Sequence, residues 1–361
     1  MPNQSITRSY KDQQFFVGLD VHLKSWTATV RTLGMEVERF TMPPSAEILS
    51  RHLQKRYPGG EYHSVYEAGF CGFAAHRRLL DQGINNIVTN PGDVPTRNKE
   101  RDKKRDSVDS RKLARELEKG SLEPIWVPSP EQENLRSLCR LRKKLVDHST
   151  RLKNRIKQHF YYRGITIPPH SELKHWSACF LEWLEQFCPE QRNAGADTLR
   201  ITLEELKLQR IRITKATRLL RKYTRDNQTV RLLRTVPGLG FVTAVTLYTE
   251  IMDMNRFANL DKLCCYIGLV PSCSDSGEKQ RNGEMSSLGN RHLRYILIEA
   301  AWVAVRKDPD LLHTFSQLIR KIPKNRAIIK ITRKLLNRIR HVWNQQKLYR
   351  SPMHLSAKAV A

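Results

Sequence analysis

The chain has 361 residues, room for two or three domains, and its 39% apolar content with a mean hydropathy of −0.56 describes real cores under a heavily charged surface. Lys and Arg number 63 against 36 Asp and Glu, so the formal charge of +27 calls for a polyanionic partner, nucleic acid ahead of an anionic membrane. No apolar run is long enough to span a bilayer, residues 1–14 carry no signal-type core, and seven Cys without a CxxC pair argue against a disulfide framework or a zinc site.

Residues 15–20 are apolar and β-prone, 27–33 alternate up to a turn at Gly34, and 36–42 alternate again, which predicts a three-strand meander. Pro43 and Pro44 stop it, and Ser45 is placed to cap a helix over 46–57. Residues 63–67 read as a fourth strand. A helix through Leu80, closed by Gly83, leads to a fifth strand over 84–90, and a further helix starts near Asp106. A meander followed by βαβ units predicts a mixed sheet with helices on its faces.

Pro124, Pro128 and Pro130 mark a boundary, after which the pattern turns helical. Leu135, Leu138, Leu141, Leu145, Leu152 and Ile156 form one apolar stripe; Leu199, Leu203, Leu206, Ile213 and Leu220 form a second. Both fit a long antiparallel hairpin or coiled coil, interrupted around Pro168, Pro169, Trp176 and Trp183, whose indoles read as packing residues. Helices are then predicted over 241–251, 257–268, 291–306 and within 320–350, with a Gly/Ser/Lys-rich loop over 272–289. The expected domains are 1–128, 129–229 and 230–345, with a tail over 346–361.

Four carboxylates stand out in so basic a chain. Asp20 and Glu67 end predicted strands; Asp106 and Asp109 open a predicted helix within Lys103-Lys104-Arg105-Asp106-Ser107-Val108-Asp109-Ser110-Arg111. Mg²⁺ takes oxygen ligands, and two such ions about 3.5–4 Å apart activate the nucleophile and stabilise the leaving oxygen of a phosphodiester displacement. Spacing of three puts Asp106 and Asp109 on one helix face, and neighbouring strands would bring Asp20 and Glu67 together. Taken singly, each acid also reads as a turn, a strand-end charge or a helix cap. The flank Arg97, Lys99, Arg101, Lys103, Lys104 and Arg105 reads as a phosphate-contacting loop or a solvated run. Gly238 and Gly240 sit in a Pro-Gly-x-Gly turn like that of a helix-hairpin-helix element, whose amides approach phosphate closely. Arg291 and Arg294 are further nucleic-acid candidates. A basic face over Arg326, Lys330, Arg333, Lys334, Arg338 and Arg340 fits phosphate contact and solvation equally.

Gly18-Leu19-Asp20-Val21-His22-Leu23-Lys24, Tyr66-Glu67-Ala68-Gly69 and Asp106-Ser107-Val108-Asp109-Ser110-Arg111 resemble the acidic tetrad of the DEDD insertion-sequence transposases. That family includes Piv-type DNA invertases and bridge-RNA-guided recombinases. Val236-Pro237-Gly238-Leu239-Gly240, Phe257-Ala258-Asn259, Tyr266-Ile267-Gly268-Leu269-Val270-Pro271 and the stretch from Gly283 through Ser286 to Arg294 resemble the family's second domain. The resemblance covers most of residues 15–310. It implies an N-terminal RNase H-like (RuvC-like) domain with flanking helices, a central helical hairpin and a mostly helical C-terminal domain. It further implies one or two Mg²⁺ ions on Asp20, Glu67, Asp106 and Asp109. Ser286 would form a phosphoserine intermediate. Donor and target DNA and an element-encoded bridge RNA would be the partners, and the working form a dimer or tetramer in the bacterial cytoplasm, on the nucleoid. Two positions depart from the family's pattern. Glu67 is followed by Ala68-Gly69-Phe70 rather than Ala-Thr-Gly, and Ser287 replaces the usual Lys after Ser286, so the nucleophile is Ser286 or Ser287. Two alternatives stay open: a structure-selective Mg²⁺-dependent nuclease with no covalent step, and a non-catalytic nucleic-acid-binding protein.

Overall fold

The computed structural model describes residues 9–95, 106–187, 193–276, 279–286 and 288–351, with the backbone alone described at 106–108, 187, 272–276 and 279–284. It divides into two compact units, residues 1–127 and 128–361, each taken by itself below.

The first unit is a five-stranded sheet. β1 (Gln14–Val21), β2 (Trp26–Thr32) and β3 (Met35–Met42) form the meander; β4 (Glu61–Glu67) and β5 (Asn85–Thr89) follow. The spatial order is β3-β2-β1-β4-β5, with β1, β4 and β5 parallel and β2 antiparallel to both its neighbours. This is the RNase H-like arrangement. α1 (Ala46–Arg56) is capped by Ser45, whose Oγ accepts from the Ile48 amide at 3.2 Å. α2 is Ala74–Asp81 and α3 is Asp106–Glu118.

Strand alternation divides the residues between two layers. Phe15, Val17 and Leu19 of β1 point into a core with Leu49 and Leu53 of α1 and Leu79 of α2. Val65 of β4 faces the other way, clustering with Leu113 of α3 and Leu122. Gly18 also lies on that second face: a Cβ there would overlap the Ser110 carbonyl oxygen and the Ala114 nitrogen of α3. The small residues Ser110 and Ala114, one helical turn apart and both fully buried, let α3 lie directly on β1. Ser110 Oγ and Thr29 Oγ1 share a buried hydrogen bond of 2.9 Å. At the far end of α3, Glu118 accepts from Arg31 and from the Gly34 amide, both at 2.7 Å. The helix is thereby held against the β2–β3 hairpin.

In the second unit α4 (Pro130–Tyr162) runs 33 residues from a capping box made by Ser129 and Gln132. α6 (Ala194–Tyr223) packs antiparallel to it, with Arg142 opposite Thr217 and His148 opposite Glu205. α5 (Ala178–Phe187) closes one end over a core of Leu152, Ile156, Phe160, Phe180, Leu184, Leu199 and Leu203, with Trp176 and Trp183 packed against it. The rest of the unit is α7 (Gln228–Leu233), α8 (Phe241–Ile251), α9 (Leu260–Ile267), α10 (Arg291–Lys307), α11 (Pro309–Ile319) and α12 (Lys324–Gln345) around a second core, which Cys139 of α4 joins. α9 is shorter than the predicted 257–268, because Asn259 caps it by accepting from the Lys262 amide at 2.9 Å. The predicted loop over 272–289 is instead largely an antiparallel hairpin of β6 (Pro271–Ser276) and β7 (Lys279–Met285). Its residues are mostly polar, so no apolar alternation announces it; backbone pairing makes the ladder. Among the described residues no helix is long and apolar enough to cross a membrane.

Candidate active site

Asp20 shares its face of β1 with Gly18, two residues away, and Glu67 shares its face of β4 with Val65. Gly18 and Val65 are register partners on the parallel β1–β4 pair, so both acids project beside α3 just past the last paired residues, Leu19 and Tyr66. Asp109 precedes Ser110, the residue wedged on Gly18. These local rules bring Asp20, Glu67 and Asp109 to one cleft of about 160 Å³, lined also by His22, Phe70, Cys71 and Leu113. Asp106 opens α3 three residues before Asp109, on the same helix face; its side chain lies outside the described residues, as do Arg97, Lys99, Arg101, Lys103, Lys104 and Arg105.

Asp20 is 18% exposed, and its Oδ2 lies 3.2 Å from His22 Nε2. Burial pushes the Cys71 thiol up, so it stays protonated at neutral pH. Among the described residues no three acidic, His or Cys groups are close enough as they stand to hold an ion. The donor chemistry nonetheless suits Mg²⁺, a hard cation that takes oxygen ligands: three carboxylates line one small cleft. Sequence reading did not single out Cys71, which carries no spacing signal.

The second unit holds the serine candidate. Ser286 follows β7; its amide donates to the Val270 carbonyl at 3.0 Å, and its Oγ accepts from the Leu288 amide at 3.1 Å. Ser287 lies outside the described residues. The turn that follows is braced by backbone contact between two glycines: a Cβ on Gly289 would sit 2.6 Å from the Gly268 nitrogen, and both have positive φ, +87° and +80°. Arg294 Nη1 donates to the Gly268 carbonyl (3.0 Å) and the Ser286 carbonyl (2.5 Å), so its guanidinium tethers the loop. Arg291 is exposed at the first position of α10.

A buried carboxylate underlies this loop. Glu250 of α8 is 2% exposed and takes two 2.7 Å hydrogen bonds from Arg140 of α4. It also accepts from Asn290 Nδ2 at 3.1 Å, and Asn290 caps α10. Tyr266 donates to the Glu250 carbonyl at 2.9 Å, and Arg136 donates to the Thr249 carbonyl at 2.9 Å. Burial pushes the Glu250 carboxyl up, but the Arg140 hydrogen bonds, the Arg140 and Arg136 charges and Asn290 hold it below the usual range. Glu250 is the one acid of an otherwise uncharged helix, a signal that sequence reading passed over.

Gly238 has φ +87° and presses on the Ala300 carbonyl of α10, so its lack of a side chain serves helix packing. Gly240 begins α8, where a Cβ would meet open space. On the basic face of α12, Arg338 is committed to Asp308, Asp310 and Tyr349, and Arg333 to Asp261 at 2.7 Å.

An RNase H-like sheet with acids at the ends of β1 and β4 and on the helix crossing them is the architecture of the class of enzymes that cut or transfer nucleic-acid strands. Two family profiles agree with that class. The profile described as "Transposase", of the DEDD type, matches residues 17–161, and that described as "Transposase IS116/IS110/IS902 family" matches residues 230–317. The chain belongs to the IS116/IS110/IS902 family of insertion-sequence transposases. Relatives include the Sinorhizobium fredii proteins y4qE and y4rJ, both provisionally named transposases. The first is 28% identical over 66% of this chain, and the match spans 57% of the relative's own length. The second is 27% identical over 81% of each chain. The transposase for insertion sequence element IS1111A of Coxiella burnetii is 25% identical over 78% of each chain.

Proposed function

We propose that the chain cuts and rejoins the DNA strands of an insertion sequence. In this reading Asp20, Glu67, Asp106 and Asp109 hold one or two Mg²⁺ ions and Ser286 is the nucleophile. The observation that carries it is the meeting of Asp20, Glu67 and Asp109 on one cleft beside the ends of β1 and β4. Bound there, Mg²⁺ would supply charge neutralisation at the scissile phosphate. The carboxylates orient it and hold a negative field that a polyphosphate alone would avoid. The Ser286 hydroxyl attacks phosphorus, the Oγ–P bond forms, and the leaving strand oxygen departs with a proton. The phosphoserine conserves the bond for rejoining to a new strand end. A serine hydroxyl is a weak nucleophile until a base or metal activates it, so the active form joins the acid cleft of one subunit to the serine of another. In this reading an element-encoded RNA selects donor and target by pairing, and the basic residues 97–105 contact its phosphates or those of DNA.

The test is a trapped-substrate assay with the full chain. A covalent protein–DNA adduct should form with Mg²⁺, survive in S287A, and disappear in S286A and D20A. Cutting without any adduct in the wild type would refute the serine step. The second reading, a nuclease that uses water, is favoured by one observation: Ser286 Oγ already accepts from the Leu288 amide, a turn-forming role. In that case S286A still cuts while D20A does not. RNA copurifying with the chain, and cutting that follows the RNA's sequence, tests the guide.

A further inference from the structure

We propose that the C-terminal end of α4 is a stacking platform for unpaired DNA, built from residues that line neither the acid cleft nor the serine loop. The helix ends in two adjacent tyrosines that point outward: Tyr161 is 65% exposed and Tyr162 is 92% exposed. Phe160 beside them is fully buried and anchors the helix end in the hairpin core. Exposed aromatic pairs at a helix end are costly to solvate, and the hairpin core is already complete without them. The last turns of α4 are also basic. From 148 to 162 the helix carries Arg151, Lys153, Arg155 and Lys157 and no acid. Spacings of four and seven residues line Arg151 and Arg155 up with Tyr162, and a spacing of four lines Lys157 up with Tyr161. Arg151, Arg155 and Lys157 enter no ion pair among the described residues. Beside Tyr161 a groove of about 490 Å³ runs along residues 164–169 to His175, room for about one or two bases.

Cations in line with exposed aromatic rings are the chemistry that tracks a phosphate backbone while stacking its bases. A duplex offers the cations its phosphates but keeps its bases stacked on one another, so the rings select unpaired strand. A transposase separates DNA strands when it cuts and rejoins them, which makes unpaired DNA the occupant that this family's work supplies. A protein partner would bring acids to the cations, but nothing on this face prefers a folded surface over a chain of stacked rings. The inference rests on the proposed function in taking DNA as the substrate and strand separation as part of its cutting and rejoining.

The test is fluorescence anisotropy of the full chain with a labelled single strand, the matching duplex and the matching RNA strand, in chelator so that the acid cleft plays no part. Y161A/Y162A should bind the single DNA strand roughly tenfold or more weakly, with duplex binding unchanged. Y161F/Y162F should bind as the wild type does, because the rings remain. R151A/R155A/K157A should weaken all three ligands and flatten the salt dependence. Photocrosslinking of bromodeoxyuridine-labelled strand should map to the peptide holding Tyr161 and Tyr162. Unchanged single-strand affinity in Y161A/Y162A, or equal losses for duplex, overturns the platform. A loss confined to the RNA strand overturns the assignment to DNA. Because binding is read in chelator, where no strand is cut, failure of this proposal and failure of the cutting reaction are read separately.

Discussion

Gly18→Ala should damage the acid cleft from a residue that never touches it. The Cβ would fall short of ordinary contact with the Ser110 carbonyl oxygen by more than an ångström, and would crowd the Ala114 nitrogen as well. Both are backbone atoms of α3, so no rotamer relieves them. The helix must slide off β1, breaking the buried Thr29–Ser110 hydrogen bond and loosening Leu113. Overpacking of this kind costs about 1–3 kcal/mol, and the lost buried hydrogen bond adds about 1 kcal/mol. Asp109 rides on the same helix turn, so it moves by about the same ångström. Misplacement of that size lowers a positioned reaction by about a hundredfold. Thermal melting and Mg²⁺-dependent strand cutting, measured on one preparation, check both halves. Gly238→Ala is the control: it crowds α10 in the other unit and should destabilise without touching the acid cleft. A G18A chain that melts several degrees lower yet cuts at the wild-type rate would refute the idea that α3 positions Asp109. One that melts and cuts normally would refute the packing argument itself.

Glu250→Gln should cost the second unit about 3 kcal/mol, the low end for a broken buried pair because Arg140 is half-exposed; chemical denaturation measures it. Since the folded Glu250 carboxyl lies below its ordinary value of 4.5, its contribution is present above that pH and lost as pH falls through the folded value. Wild-type stability should therefore show an acid limb below about pH 4.5 that E250Q partly lacks. Arg294→Ala should release the Ser286 and Gly268 carbonyls and slow adduct formation by on the order of tenfold, while DNA affinity holds. Asp109→Asn should weaken Mg²⁺ binding by on the order of tenfold in calorimetry, and S286A should leave it unchanged.

The sheet was legible because each of its strands announces itself: alternating residues, a turn at Gly34, Pro43 and Pro44 after the meander. The period of two then carries further, since it alone puts Asp20 and Glu67 on a common face once β1 and β4 are neighbours. What the pattern could not supply was the partner of Gly18, because Ser110 and Ala114 lie more than ninety residues away and carry no mark of contact. The β6–β7 hairpin was invisible for a different reason: polar strands held by backbone bonds leave no hydrophobic period. Sequence shows the charge of Arg294 and not its contacts within the fold: its Nη1 donates to two carbonyls of its own chain. Glu250 hid in plain view, a lone acid in an apolar helix whose partner Arg140 lies 110 residues earlier.

The length of α4 has a mechanical consequence. At 33 residues it is a rod of about 50 Å, rooted at one end in the C-terminal core through Cys139, Arg136 and Arg140, and in the hairpin core at the other. A rod works as a lever. A tilt of about 3° where Arg140 grips Glu250 swings the far tip, about 33 Å away, through about 2 Å. Conversely, a load seated at that tip arrives, geared down, at the cap of α10 and the turn that carries Ser286.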